Sequence, residues 1–251
     1  VDTTYFLRSG GGLALAEPDA EDPSTTWLHN PESPVPSVSG NVTGFYEWVV
    51  LPPDIDAAYV PQRARMKSLI PDGPLHQLER DSTVGASTPP ALLADRPDVN
   101  VFETEPLESD IEMTGPIAVN LWISSDATDT DFTAKLLDVY PPTEGYPDGF
   151  HLPLADSILR ARYREGFDAE MLMEPGTVYE LQIELPPISN LFTRGHRIRV
   201  DISSSNFPRF DVNPNTGEPI GRHTGSQVAR NTVFTDANRP SHIVLPIVSS
   251  T

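Results

Sequence analysis

The sequence predicts an all-β protein, an antiparallel sandwich with long loops and one or two short helices. Three observations carry that expectation. Apolar residues recur at every second position, Ile117, Val119, Leu121 and Ile123 in one segment and Tyr179, Leu181, Ile183 and Leu185 in another; this is the period of a strand with one buried face. Turn chemistry separates such segments, at Pro175-Gly176, Pro186-Pro187 and the run Asn213 to Gly217. Finally, 27 prolines and 16 glycines in 251 residues suit many short elements and oppose a helical bundle.

In chain order, Ala57–Leu69 and Pro90–Ala94 are the two places where a short helix is expected. The strand through Ile117–Ile123 leads to an acidic turn, Asp126–Asp131, and Phe132–Val139 follows as its partner. Thr177–Leu185 alternates most cleanly, with Glu180, Gln182 and Glu184 pointing to water. Ile198, Val200 and Ile202 then form a core-facing row opposite Arg197, Arg199 and Asp201, and His242–Leu245 supplies a late strand. There is no internal repeat and no low-complexity tract.

Composition narrows the partners. A net charge of −19 opposes nucleic-acid binding, which needs clustered Lys and Arg against phosphate. No run of eighteen apolar residues occurs, so no membrane-spanning helix is expected. Lys67 and Lys135 are the two lysines among 17 cations; an acidic, arginine-dominated surface fits either a salt-screened environment or a GC-rich genome. The absence of cysteine removes disulfides and thiolate chemistry. The opening Val1-Asp2-Thr3-Thr4 reads as an internal boundary of a longer polypeptide.

The residues offer little for nucleophilic catalysis. A nucleophile elbow needs Gly-x-Ser-x-Gly, and the nearest string, Gly85 to Pro89, ends in proline where the close strand–helix approach needs glycine. His196, Asp201 and Ser203–Ser205 are the right types for a triad, yet on one strand at about 3.3 Å per residue His196 and Ser204 lie roughly 26 Å apart. Asp126, Asp129 and Asp131 suggest calcium, but the sixth and twelfth positions of such a loop are Asp131 and Leu137 in place of glycine and glutamate. An irregular cation site is the alternative. Internal pairing accounts for them better: Arg160, Arg162 and Arg164 fall on one face of a strand by period two, and Asp129 and Asp131 are their natural carboxylate partners. Trp27, Trp48, Trp122, Phe207 and Phe210 are read as core or contact residues ahead of a sugar platform, and Phe207, Arg209 and Phe210 as candidates for an interface. His76 and His223 have no metal-spaced partner and are read as surface residues. No cofactor and no metal is expected.

Longer stretches carry a resemblance. Gly195-His196-Arg197-Ile198-Arg199-Val200-Asp201-Ile202, continued by Ser203-Ser204-Ser205-Asn206-Phe207-Pro208-Arg209, is the most specific. With it stand Tyr5–Leu13, Pro31–Pro36, Ile111–Pro141, Ile158–Glu165 and Arg239–Pro246, in the family's order along the chain. Together they resemble the C-terminal β-domain of the X-prolyl dipeptidyl peptidase/cocaine esterase (CocE/NonD) family of serine hydrolases.

That resemblance sharpens the sandwich to a jelly roll and implies one C-terminal domain over residues 1–251. Residues 1–50 would hold the opening strands and Pro-rich loop, and 96–251 the main sandwich. Residues 52–95 would be an insertion longer than the family's equivalent linker. It also implies that the serine, acid and histidine of catalysis belong to an α/β-hydrolase domain absent from this chain, which alone would be inactive. The implied partners are that catalytic domain of the same parent polypeptide and further copies in a homo-oligomer, with roles in covering the catalytic domain, shaping the substrate pocket or making oligomer contacts. The competing readings are an autonomous β-sandwich module binding carbohydrate or protein, and a purely structural domain that aids folding or assembly of the parent.

Overall fold

The structure, a computed structural model, describes residues 1–40, 45–61, 66–86 and 90–249, with the backbone alone at 45–48 and 66. It is built almost wholly of strands. The first seven are β1 (Asp2–Arg8), β2 (Gly12–Ala14), β3 (Thr25–His29), β4 (Phe45–Trp48), β5 (Met66–Ile70), β6 (Leu78–Glu79) and β7 (Ala91–Leu92). The main body follows with β8 (Asn100–Glu103), β9 (Ile111–Ser125), β10 (Asp131–Val139) and β11 (His151–Arg160). It closes with β12 (Tyr179–Phe192), β13 (Arg197–Ser203), β14 (Ala229–Phe234) and β15 (His242–Pro246).

Eleven of these strands form one hydrogen-bonded path, β11-β10-β13-β8-β2-β1-β15-β9-β14-β3, with β12 on the side of β9. Every pairing along it is antiparallel except the short β2–β8 contact at Gly12 and Glu103. The path folds back on itself, so that apolar faces meet across one core. Phe132, Leu136, Val200 and Ile202 from one layer join Leu121, Ile123, Leu181 and Ile183 from the other in a single buried cluster. Each such side chain contributes roughly 1.5–3 kcal/mol on burial. The expected all-β, jelly-roll-type sandwich is therefore the fold.

Ile117–Ile123 and Phe132–Val139 are not partner strands, since β9 pairs with β12, β14 and β15 and β10 with β11 and β13, and the two short helices prove to be single 3₁₀ turns. Among the described residues, the short helix expected in Ala57–Leu69 is a single 3₁₀ turn, Ala57–Tyr59, that ends at Val60, and β5 runs from Met66 to Ile70. Pro61 is the cause, since the residue before a proline is driven out of the helical region, and Val60 is extended at φ −99°, ψ 119°. In Pro90–Ala94 the chain makes β7 and then a 3₁₀ turn at Leu93–Asp95, which stops at the extended Arg96 before Pro97. Pro186-Pro187 also behaves unexpectedly. They do not end a strand but sit inside β12, where the register with β9 shifts between Leu185 and Ile188. Proline lacks the ladder N–H, so the pair is accommodated as a bulge.

In the layer of β11, β10, β13 and β8, the two central strands β10 and β13 are buried on both faces. All but one residue of β10 and of β13 are buried, including Asp131, Asp138, Arg199 and Asp201. The outer face is covered by chain from the 30–40, 75–99 and 204–215 regions. Gln77 N–H donates to His151 O, Ser37 N–H to Phe207 O, and Phe207 N–H to Val35 O.

Candidate functional site

The outer face gathers the charges that the sequence singles out. At its β11 end, Asp129 accepts from the Arg162 backbone N–H at 3.0 Å and from Arg162 Nε at 2.9 Å. Asp131 takes Arg160 in a two-pronged pair, Nε to Oδ1 at 2.9 Å and Nη2 to Oδ2 at 3.1 Å. Asn213 Nδ2 bridges both carboxylates, at 2.9 Å to Asp129 and 2.7 Å to Asp131. Burial pushes the Asp131 carboxyl up to about 6, against the pull of Arg160 and Asn213.

The arginines do not share a strand face as expected. β11 stops at Arg160, and Ala161–Tyr163 form a 3₁₀ turn. Asp129 is the reason: its carboxylate takes the Arg162 N–H that a ladder would have used. Arg164 points elsewhere, donating to Ala161 O and Met171 O and lying 4.2 Å over the Tyr179 ring. Asp126 accepts from the Arg230 N–H. Among the described residues, no group of three or more ligating side chains gathers that could hold a metal.

The interface candidates have internal work. The cis Phe207–Pro208 bond sits where Phe207 pairs with Val35 and Ser37, and a Cβ on Gly85 would stand 3.0 Å from the Phe207 ring. Glycine is what lets the 80–86 segment close over that ring. Arg209 binds Asp156, and its guanidinium lies 5.3 Å from the Phe210 ring. Trp27 is buried, edge-on to Phe132, and donates to Ser204 Oγ. Trp122 is half-buried beside Glu180 and Phe234. The Trp48 side chain and residues Ser87–Pro89 lie outside the described residues.

The triad-like residues separate. His196 Nδ1 meets Asp138 at 2.8 Å, while Asp201 is held by Arg199. Ser203 pairs with Thr133, Ser204 with Trp27 and Asn231, and Ser205 accepts from Val35 N–H. Burial raises the Asp138 carboxyl, opposed by its bond to His196.

Sequence reasoning missed an aromatic and imidazole cluster beside them. His76 is not a free surface residue: it stacks on Phe150 with centroids 5.2 Å apart and stands edge-on to Tyr146 and His151. Its Nδ1 accepts the His151 N–H at 3.0 Å. His151 in turn faces Arg199 Nη1 through Nδ1 at 3.2 Å and Asp148 O through Nε2 at 3.1 Å. Arginine is only a donor, so His151 is neutral with its proton on Nε2. Burial, then Arg199, lowers its pKa to about 4. Against this cluster lies a cavity of about 290 Å³, walled by His76, Tyr146, Phe150, Leu75, Leu78 and Arg80. A wider cleft of about 600 Å³ runs past Tyr140, Arg197 and Glu103. No spacing in the sequence marks these contacts, because they join the 75–80 segment to the β10–β11 hairpin, far away in sequence.

The fold is a β-sandwich in which Arg160, Arg162, Arg199 and Arg209 pair with buried carboxylates and fasten its own loops. Comparison with known proteins gives the family. Residues 1–244 match the family described as the X-Pro dipeptidyl-peptidase C-terminal non-catalytic domain, and the chain belongs to it. It is 37% identical over 242 residues to cocaine esterase from Rhodococcus sp. (strain MB1 Bresler), covering 96% of this chain and 35% of that protein. An aminopeptidase from the marine sediment archaeon Thaumarchaeota archaeon superposes with a TM-score of 0.74 at 27% identity, over 99% of this chain and 37% of its own. An α-amino acid ester hydrolase does so with a TM-score of 0.74 at 29% identity, over 98% and 36%. The chain thus spans about a third of the length of these relatives.

Proposed function

We propose that the chain works as the non-catalytic C-terminal domain of a serine hydrolase resembling X-Pro dipeptidyl peptidases or cocaine esterase. In this reading residues 1–251 are one domain, with 52–95 an insertion laid over the outer sheet face. Its task is to cover the catalytic domain and to help wall the substrate pocket or an oligomer contact. One observation carries the reading. Apolar side chains stand exposed at the 290 Å³ cavity: Leu75 is 43% and Tyr146 41% exposed, beside Leu78 and Phe150. Apolar side chains left open to solvent around a cavity suit a contact with another domain.

The test is the mass of the native polypeptide that carries this sequence, after labelling of cell extract with a fluorophosphonate probe for active serines. A labelled species much larger than 27.5 kDa is expected. An unlabelled species at about 27.5 kDa would leave a free-standing module, and a labelled one at that mass would place a nucleophile in this chain.

A further inference from the structure

Three charged residues stand in one row across the outer layer. Lys135 of β10 lies directly opposite Asp156 of β11 on one side and Asp201 of β13 on the other. Each carboxylate gives its direct ion pair to an arginine, Asp156 to Arg209 and Asp201 to Arg199. Among the described residues Lys135 forms an ion pair with neither, and its ammonium donates to Gln77 Oε1 at 2.8 Å. An ammonium carries three N–H donors, so two have no protein acceptor. Lys135 lines a cavity together with Asp156, Asp201, Thr133, Ser205 and Asn206, all of them buried, and with the apolar Val35, Leu93, Val99 and Ala134. Its volume for the centre of a water is about 10 Å³, the space of one molecule.

We propose that this cavity is a binding site for a single water, which accepts from the Lys135 ammonium and donates to the carboxylates of Asp156 and Asp201. The lining selects water over ions. A halide there would face two carboxylates. An alkali cation would face the ammonium, with the Arg199 and Arg209 guanidiniums behind the carboxylates. A neutral molecule that both donates and accepts satisfies both walls, and the volume admits nothing larger than water. The site also fastens the cover to the sheet. Gln77, which takes the third Lys135 hydrogen, donates from Nε2 to Val38 O at 2.6 Å.

The deciding experiment is a crystal structure at a resolution that shows ordered solvent, for the wild type and for Lys135→Met. One peak is expected in the wild type, about 2.7–3.2 Å from Lys135 Nζ and from an oxygen of Asp156 or Asp201, and its loss is expected in the variant. A cavity without density in the wild type overturns the proposal. So does an anomalous peak at that position from crystals soaked in bromide or in rubidium, which would make the site an ion site. Should Lys135→Met fail to fold, the wild-type and soaked crystals decide by themselves.

Discussion

Arg162 holds Asp129 twice, once through its backbone N–H and once through Nε, across 33 residues of chain. Both side chains are almost completely buried. Taken from water, a charge is costly unless its partner stays in place. Asp129→Asn should leave the Arg162 guanidinium with the half-exposed Glu170 carboxylate at 3.1 Å and the Glu218 carbonyl, and lower stability by about 1–3 kcal/mol. Urea denaturation measures this. A midpoint equal to wild type would mean that the pair contributes nothing to holding the 126–131 turn.

Asp131 gives a pH signature of the less usual sign. Its folded pKa is raised, from 3.8 to about 6, so between these values the unfolded state binds fewer protons than the folded one. Stability from this group is full below 3.8 and falls as pH rises toward about 6. In Asp131→Asn that decline should be absent. Unfolding free energies measured across this interval, wild type against variant, test the point.

His151 acts in the opposite direction. Its folded pKa is lowered from 6.5 to about 4, so its contribution is complete above 6.5 and is lost as pH falls toward and through about 4. Protonation would also turn His151 Nδ1 into a donor aimed at Arg199 and set an imidazolium 5.3 Å from the His76 ring. Protection of the Gln77 amide, which donates to His151 O, should drop across that interval when corrected for intrinsic exchange. His151→Gln should flatten the change. Unaltered protection in the wild type would show that the imidazole does not hold the insertion.

Gly149 closes the hairpin between β10 and β11 at φ 83°, and a Cβ there would collide with the Tyr140 carbonyl oxygen. Backbone cannot move aside as a side chain can. Gly149→Ala should cost about 1–3 kcal/mol and loosen the Tyr140–Phe150 edge contact. Thermal unfolding and the ring-proton shifts of those two residues read both effects.

Legibility in the sequence followed the physics of one face at a time. β9 and the first half of β12 were readable because Ile117–Ile123 and Tyr179–Leu185 bury one side and solvate the other. β10 and β13 were only half readable: Arg199 and Asp201 look like a solvent-facing row, yet Gln77, Leu93 and Asn206 cover that face. The cover comes from segments far away in sequence, so no local period announces it. Charge complementarity suggested placing Asp129 and Asp131 beside Arg160 and Arg162. It could not show that Asp129 would pull Arg162 out of the strand, because that depends on a tertiary contact.

The pairing of β1 with β15 has a consequence for synthesis. The Val1 amino group reaches Ile247 O across 246 residues, and β1 lies between β2 and β15. At about 5–20 residues per second, β1 leaves the ribosome tens of seconds before its neighbour exists. During that interval its Tyr5 and Leu7, destined for the core, have one three-residue strand beside them. Shortening the chain before His242 would leave β1 permanently without the strand that closes the layer.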